Sequence, residues 1–213
     1  MTLSDELVQQ LLAARAESRN LDIKKGFEWS DKTEETLGIV KDIMGCSNTQ
    51  DGGTIIIGLD NTTFDFSSVS GNWWNSFDIT KVMDVVNKYC QPPVNVSITV
   101  KPSIEHNGRN GPLVILQISE FDIAPIICVR SGITSGQRVI FNPAQIFIRT
   151  NRGATEPISN PDDLRDLIHR ATIKNGDNLL RSIRALLKGQ HLQQPIQSVD
   201  IYEQNVRDAR SEI

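Results

Sequence analysis

The run Thr54-Ile55-Ile56-Ile57-Gly58-Leu59, entered through Gly52-Gly53 and left through Asp60, constrains the fold of this chain more than any other segment. β-branched side chains are restricted in a helix and pack well on a pleated surface. A short continuous apolar run bounded by turn residues predicts a central strand buried on both faces. Asn48 to Gly53 supplies the preceding turn, in residues that tolerate positive φ. Gly52-Gly53 itself has two readings, a backbone cradle for phosphate or a tight turn feeding the strand. The turn is favoured, because no Lys-Ser or Lys-Thr follows as a P-loop requires.

Helical patterns flank that strand. Leu7, Val8, Leu11 and Leu12 recur at helical spacing and predict a helix over Leu3 to Ala16, capped by Ser4 or Asp5. Leu21 to Lys25 reads as a short strand, with Leu21 and Ile23 on one face and Asp22 and Lys24 on the other, turned away from the core. Asp31 followed by Glu34 resembles a capping box opening a helix from about Thr33 to Ser47, with Leu37, Val40, Ile43 and Met44 as its apolar stripe. Ile79 to Tyr89 is a third helix, stopped by Gln91-Pro92-Pro93. Val94 to Val100, Leu113 to Ser119, Ile126 to Val129 and Gln145 to Arg149 read as strands, with a hairpin-like turn over His106 to Gly111. Further helices are expected from Asn160 to about Thr172 and from about Asn178 to Leu187. Strands and helices mix without strict alternation, which points to an α+β fold with a mixed β-sheet flanked by helices. The expected domain covers 1–172, and 173–213 is a C-terminal helix and polar tail that would link to a further domain.

Composition narrows the function classes. A hydrophobic fraction of 38% and a charged fraction of 23% over 213 residues suit an ordinary globular core. The three cysteines, Cys46, Cys90 and Cys128, lie far apart in apolar or helical contexts. An odd, scattered count fits neither a disulfide framework nor a zinc site, so reduced thiols in a cytoplasmic protein are expected. The acidic, polar N-terminus does not read as a signal peptide, and no apolar run approaches the roughly 20 residues that span a membrane. The formal net charge of −4 speaks against bulk electrostatic capture of nucleic acid, so any such contact must be local.

Three acidic residues frame two motifs near the N-terminus. Glu17-Ser18-Arg19-Asn20-Leu21-Asp22-Ile23-Lys24 comes first, and Asp60 closes the Gly-Gly strand. Hard divalent cations take oxygen ligands, and carboxylates at element ends can supply them. Lys24 suits a phosphate. Taken singly, each residue also has an ordinary role. Glu17 can end a solvated helix face, Asp22 and Lys24 can guard a strand edge, and Asp60 can shape a turn. The joint spacing favours a metal site of Glu17, Asp22 and Asp60 holding Mg²⁺ or Mn²⁺, with Lys24 on a phosphate oxygen. No histidine accompanies these motifs, which disfavours metal-free acid–base cleavage. Lys25, Arg130, Arg138, Arg149 and Arg152 are candidate nucleic-acid contacts alongside Lys24. Trp73 and Trp74 could stack on bases, but for at least one of them packing over the sheet or at a subunit contact is favoured.

Four segments stand in a telling order. These are the acidic pair with its lysine, the helix ending Asn48-Thr49, the strand ending Gly58-Leu59-Asp60, and Ile146-Phe147-Ile148-Arg149 ahead of a proline-started helix. That order resembles the AlbA-like domain of the Schlafen family over about residues 5–172. The resemblance implies a metal-binding acidic set at Glu17, Asp22 and Asp60 with Lys24 beside it, and Asp22 stands where the family usually has a glutamate. It implies a divalent-metal-dependent endoribonuclease acting on structured RNA such as tRNA, ahead of DNA, with a role in defence. Members lacking the full acidic set imply the alternative, a non-catalytic nucleic-acid-binding module, regulatory or part of an assembly. A scaffold that merely keeps the fold is a third possibility. Schlafen nucleases form a clamp from two related lobes, and one lobe here implies a homodimer.

Overall fold

A computed structural model of the protein describes residues 3–13 and 17–187. The elements in chain order are α1 (Asp5–Ala13), β1 (Leu21–Lys24), α2 (Glu34–Ser47), β2 (Gly53–Ile57), a 3-10 turn over Trp73–Ser76, and α3 (Ile79–Asn87). Then come β3 (Cys90–Gln91), β4 (Val96–His106), β5 (Arg109–Ile118), β6 (Ile127–Cys128), β7 (Gly132–Ile133), β8 (Val139–Phe141), β9 (Phe147–Arg149), β10 (Thr155–Pro157) and α4 (Pro161–Leu187). The fold is α+β. Its main sheet has the order β1-β2-β5-β4, and three two-stranded ribbons pair β10 with β9, β3 with β6, and β7 with β8.

The sheet is mixed because α2 carries the chain from β1 to β2, making that pair parallel, while β2–β5 and β5–β4 are antiparallel. The apolar run is buried for the expected reason. Ile55 and Ile57 pack in a cluster with Leu37, Val40, Ile43 and Met44 of α2. Ile56 faces the other way, among Val8 and Leu12 of α1, Leu21, Ile23 and Ile115. Both faces of β2 are therefore covered, so the strand needs no polar alternation.

Several boundaries differ from the pattern. α2 is capped by Thr33, whose side chain accepts from the Thr36 N–H, rather than by an Asp31–Glu34 box. β4 continues to His106, and the turn into β5 contracts to Asn107-Gly108, both at positive φ. The two C-terminal helices are one, α4, running through Gly176. Gly52, at φ +73°, sits where a Cβ would lie 2.1 Å from the Ile118 carbonyl oxygen, so the Gly-Gly step serves close backbone approach.

The described chain divides into two compact units, with the boundary between Ala171 and Thr172. The first holds the sheet. The described part of the second is the remainder of α4. The expected tail from 188 onward, and Ala14 to Ala16 of the expected first helix, lie outside the described residues. Among the described residues no helix is long and apolar enough to cross a membrane.

Candidate functional site

The parallel register places Asp22 opposite Ile55 and Lys24 opposite Ile57, so both side chains lie on the face that α2 covers. The alternation along β1 is as expected, but its direction is reversed. Asp22 is not turned away from the core; it is 1% exposed. β1 is the sheet's edge strand, and Asp42 of α2 and Arg149 of β9 reach its Lys24, Asp22 and Leu21 carbonyl.

Arg149 of β9 is what the buried carboxylate meets. Its Nη1 lies 3.2 Å from Asp22 Oδ2 and 3.9 Å from Asp42 Oδ1. The guanidinium also donates to Thr155 Oγ1 and to the Ser18 and Leu21 carbonyls. Arg149 is itself 1% exposed, so it is a buried counter-ion and not a surface contact for nucleic acid. Local sequence makes this possible. Thr49 Oγ1 accepts from the Arg149 N–H, and the Asn48 amide donates to the Ile126 and Phe147 carbonyls. Gly45 lets β10 approach α2, since a Cβ there would lie 2.6 Å from Thr155 Cγ2.

Asp42 joins this cluster, and sequence reasoning missed it. Lys24 Nζ stands 2.7 Å from Asp22 Oδ2 and 3.4 Å from Asp42 Oδ2. Asp22 Oδ2 is held by charge, without an aligned hydrogen bond. Burial pushes the Asp42 carboxyl up, and the neighbouring Asp22 charge adds to this against the pull of Lys24, Thr155 and Arg149. Burial works against the Lys24 ammonium, but Asp42, Asp22 and Glu17 outweigh it and hold its pKa above the ordinary lysine value. The available signal was an acid inside the Leu37–Met44 apolar stretch, beside Ile43.

Glu17 and Asp60 have separate duties. Glu17 Oε1 accepts from the Ile23 N–H at 3.2 Å, satisfying the open edge of β1. Asp60 Oδ1 accepts from the Thr62 and Thr63 N–H groups at 2.8 and 3.1 Å, and its Oδ2 lies 3.1 Å from Lys25 Nζ. Those two backbone hydrogen bonds, with Lys25, lower its pKa to about 2. The turn role foreseen for Asp60 is therefore present.

A divalent cation does not fit the set Glu17, Asp22 and Asp60 as arranged. Asp22 is committed to Arg149 and Lys24, and Asp60 to its own turn and Lys25. Among the described residues no three acidic, cysteine or histidine side chains converge on a point that could hold a metal.

The family model for Schlafen, AlbA_2 matches residues 17–157. The chain belongs to the Schlafen AlbA_2 family. This membership points to a nucleic-acid-related function. A comparison with curated proteins finds no match. Among solved structures the chain is similar to the DIP2311 protein from Corynebacterium diphtheriae, at 14% identity and a TM-score of 0.42, over 71% of this chain and 25% of that one. The chain thus spans about a quarter of that protein's length.

In this Schlafen AlbA_2 domain, β1 and β2 end together, with Lys24, Lys25 and Asp60 at their carboxyl end. Crevices outside the carboxyl ends of parallel strands are common ligand sites. Lys25 is exposed and Lys24 partly so, which leaves both within reach of an anion. Arg130 and Arg152 are exposed, and Arg138 is exposed but paired with Glu34 at 2.5 Å. Trp73 is buried and packs edge-on against Phe77 and Trp74, so of the two roles foreseen for it, it takes packing.

Proposed function

We propose that this Schlafen AlbA_2 domain binds nucleic acid without cutting it, through a local patch at the carboxyl end of β1 and β2. The observation that carries this is the position of Lys24 and Lys25, consecutive lysines where the parallel strands end, the first partly and the second largely open to solvent. The net charge of −4 requires such a local contact. Asp22, Asp42 and Asp60 hold the lysines in place and compete with phosphate for them, so binding is weak at high salt. Structured RNA such as tRNA is the favoured ligand, by the family resemblance. Fluorescence anisotropy with labelled tRNA, single-stranded DNA and duplex DNA across a salt series tests this. Lys25→Ala should weaken binding and reduce the slope of log affinity against log salt by about 1. A wild-type protein that binds none of the three at low salt would overturn the proposal.

A second reading keeps the metal-dependent endonuclease. Its support is that Glu17, Asp22 and Asp42 all act on one cation, the Lys24 ammonium, so negative charge gathers there. It requires Asp22 to leave Arg149 and Asp60 to leave Lys25. Cleavage of tRNA in Mn²⁺ or Mg²⁺, abolished by EDTA and by Asp60→Ala, would establish it in place of binding alone. We also infer a homodimer in which a second copy supplies the second lobe of a clamp.

A further inference from the structure

Between the carboxyl end of β1 and the amino-terminal half of α2 lies a cavity of about 430 Å³, within the roughly 300–1,000 Å³ range of small-molecule sites. Lys24, Lys25, Gly26 and Phe27 form one wall, and Gly38 and Ile39 of α2 form the other. Val69 closes one side, and Glu35 is the acidic group on the rim. The interior is mostly apolar, and Lys24 and Lys25 are the basic residues that line it.

The space is open on the α2 side because Gly38 carries no side chain. A Cβ at Gly38 would meet nothing within 4 Å, although the same helix face carries Ile39 and Asp42. A Cβ at Gly26 would lie 2.8 Å from the Trp73 ring, so that wall is backbone. Phe27 is fixed edge-on against Phe77, with ring centroids 5.3 Å apart.

A second cavity of about 520 Å³ adjoins the first and shares Val69. Trp29, Trp73, Asn72 and Asn75 line it, with Lys81.

We propose that these adjoining cavities receive successive bases of a single-stranded stretch of nucleic acid, with Lys24 and Lys25 on its phosphates. The inference rests on the binding function proposed above and names the form of nucleic acid that is bound. The half-buried Phe27 ring on the wall of the first cavity offers stacking, and every base has a face that can stack. The two lysines supply the charge complement to the backbone. A recess between a strand end and a helix admits an unstacked base and excludes a paired one.

Anisotropy on the whole chain tests this with one labelled strand in three forms: single-stranded, annealed to its complement, and single-stranded with abasic positions. The single strand should bind more tightly than both other forms. Gly38→Leu fills the first cavity and should weaken single-strand binding about tenfold, the worth of one stacked base. Its duplex binding should not change, and its melting temperature should not fall. A folded Gly38→Leu protein that holds the single strand as the wild type does would overturn the inference and leave the binding function standing. If Gly38→Leu melts early, Val69→Glu decides on the same criterion, from a loop position common to both cavities. Wild-type protein that binds duplex and abasic strand as tightly as the intact strand would also refute it. Absence of all binding would remove the proposed function and this inference together.

Discussion

At the scale of residues, the Asp22–Arg149 pair is the strongest constraint the site contains. Two charges at 1% exposure have left water almost completely, and their attraction offsets that cost only while both are present. Asp22→Ala or Arg149→Ala alone should destabilise the protein by about 3–5 kcal/mol in urea denaturation. Asp22→Leu combined with Arg149→Met should recover much of that loss, because neither change then strands a buried charge. A double variant no more stable than the singles would mean that Asp42 and Lys24 depend on the pair. The sequence made the alternation of Asp22 and Lys24 legible but not its direction, since nothing local says that β9 will lie over β1. Arg149 looked like a surface arginine for the same reason: its partner is supplied from the far end of the chain. Lys24 adds a pH signature. Its folded pKa is raised above 10.5, so the stability it contributes is complete below pH 10.5 and is lost as pH climbs through the raised value. Lys24→Met should flatten that alkaline loss in denaturation curves taken on either side of pH 10.5; unchanged slopes would show that its carboxylate neighbours do not hold it.

Elements were legible where their cause is local. β2 announced itself because three consecutive isoleucines are strand-forming and buried whatever surrounds them. α2 was legible from its stripe, but its start was misread, because Asp31 and Glu34 have the spacing of a capping box while Thr33 has the geometry. Thr33 Oγ1 accepts from the Thr36 N–H at 3.2 Å and donates to Thr36 Oγ1 at 2.9 Å. Thr33→Ala should therefore cost about 1 kcal/mol in thermal or urea melts, whereas Asp31→Ala should cost far less. Equal losses would restore Asp31 as the cap. α4 was broken in two by the polar stretch Lys174-Asn175-Gly176-Asp177. One glycine costs a helix only about 1 kcal/mol, and the helical residues on both sides outweigh it. β4 and β5 outran their patterns because cross-strand pairing carried the ladder through polar positions up to the Asn107-Gly108 turn.

At the scale of the molecule, a single lobe with net charge −4 has little with which to hold a large polyanion. A second copy is the simplest remedy, and the later part of α4 offers a surface for it. Among the described residues, Ile173, Leu179 and Leu180 are 51%, 62% and 52% exposed there. Light scattering at micromolar concentration should return the mass of a dimer, and Leu179→Glu with Leu180→Glu should return that of a monomer. Both changes lie in the unit that begins at Thr172, so the melting of β1, β2 and α2 should stay as in the wild type. Two linked lobes on one RNA gain avidity of about 10²–10⁴ over a single lobe when both can engage. The monomeric variant should therefore lose tRNA binding by at least the lower figure, yet hold a short single strand that fits one lobe as well as before. A wild-type monomer, or a monomeric variant with undiminished tRNA affinity, would mean that one lobe suffices and that Lys24, Lys25 and the cavities beside them carry the contact alone.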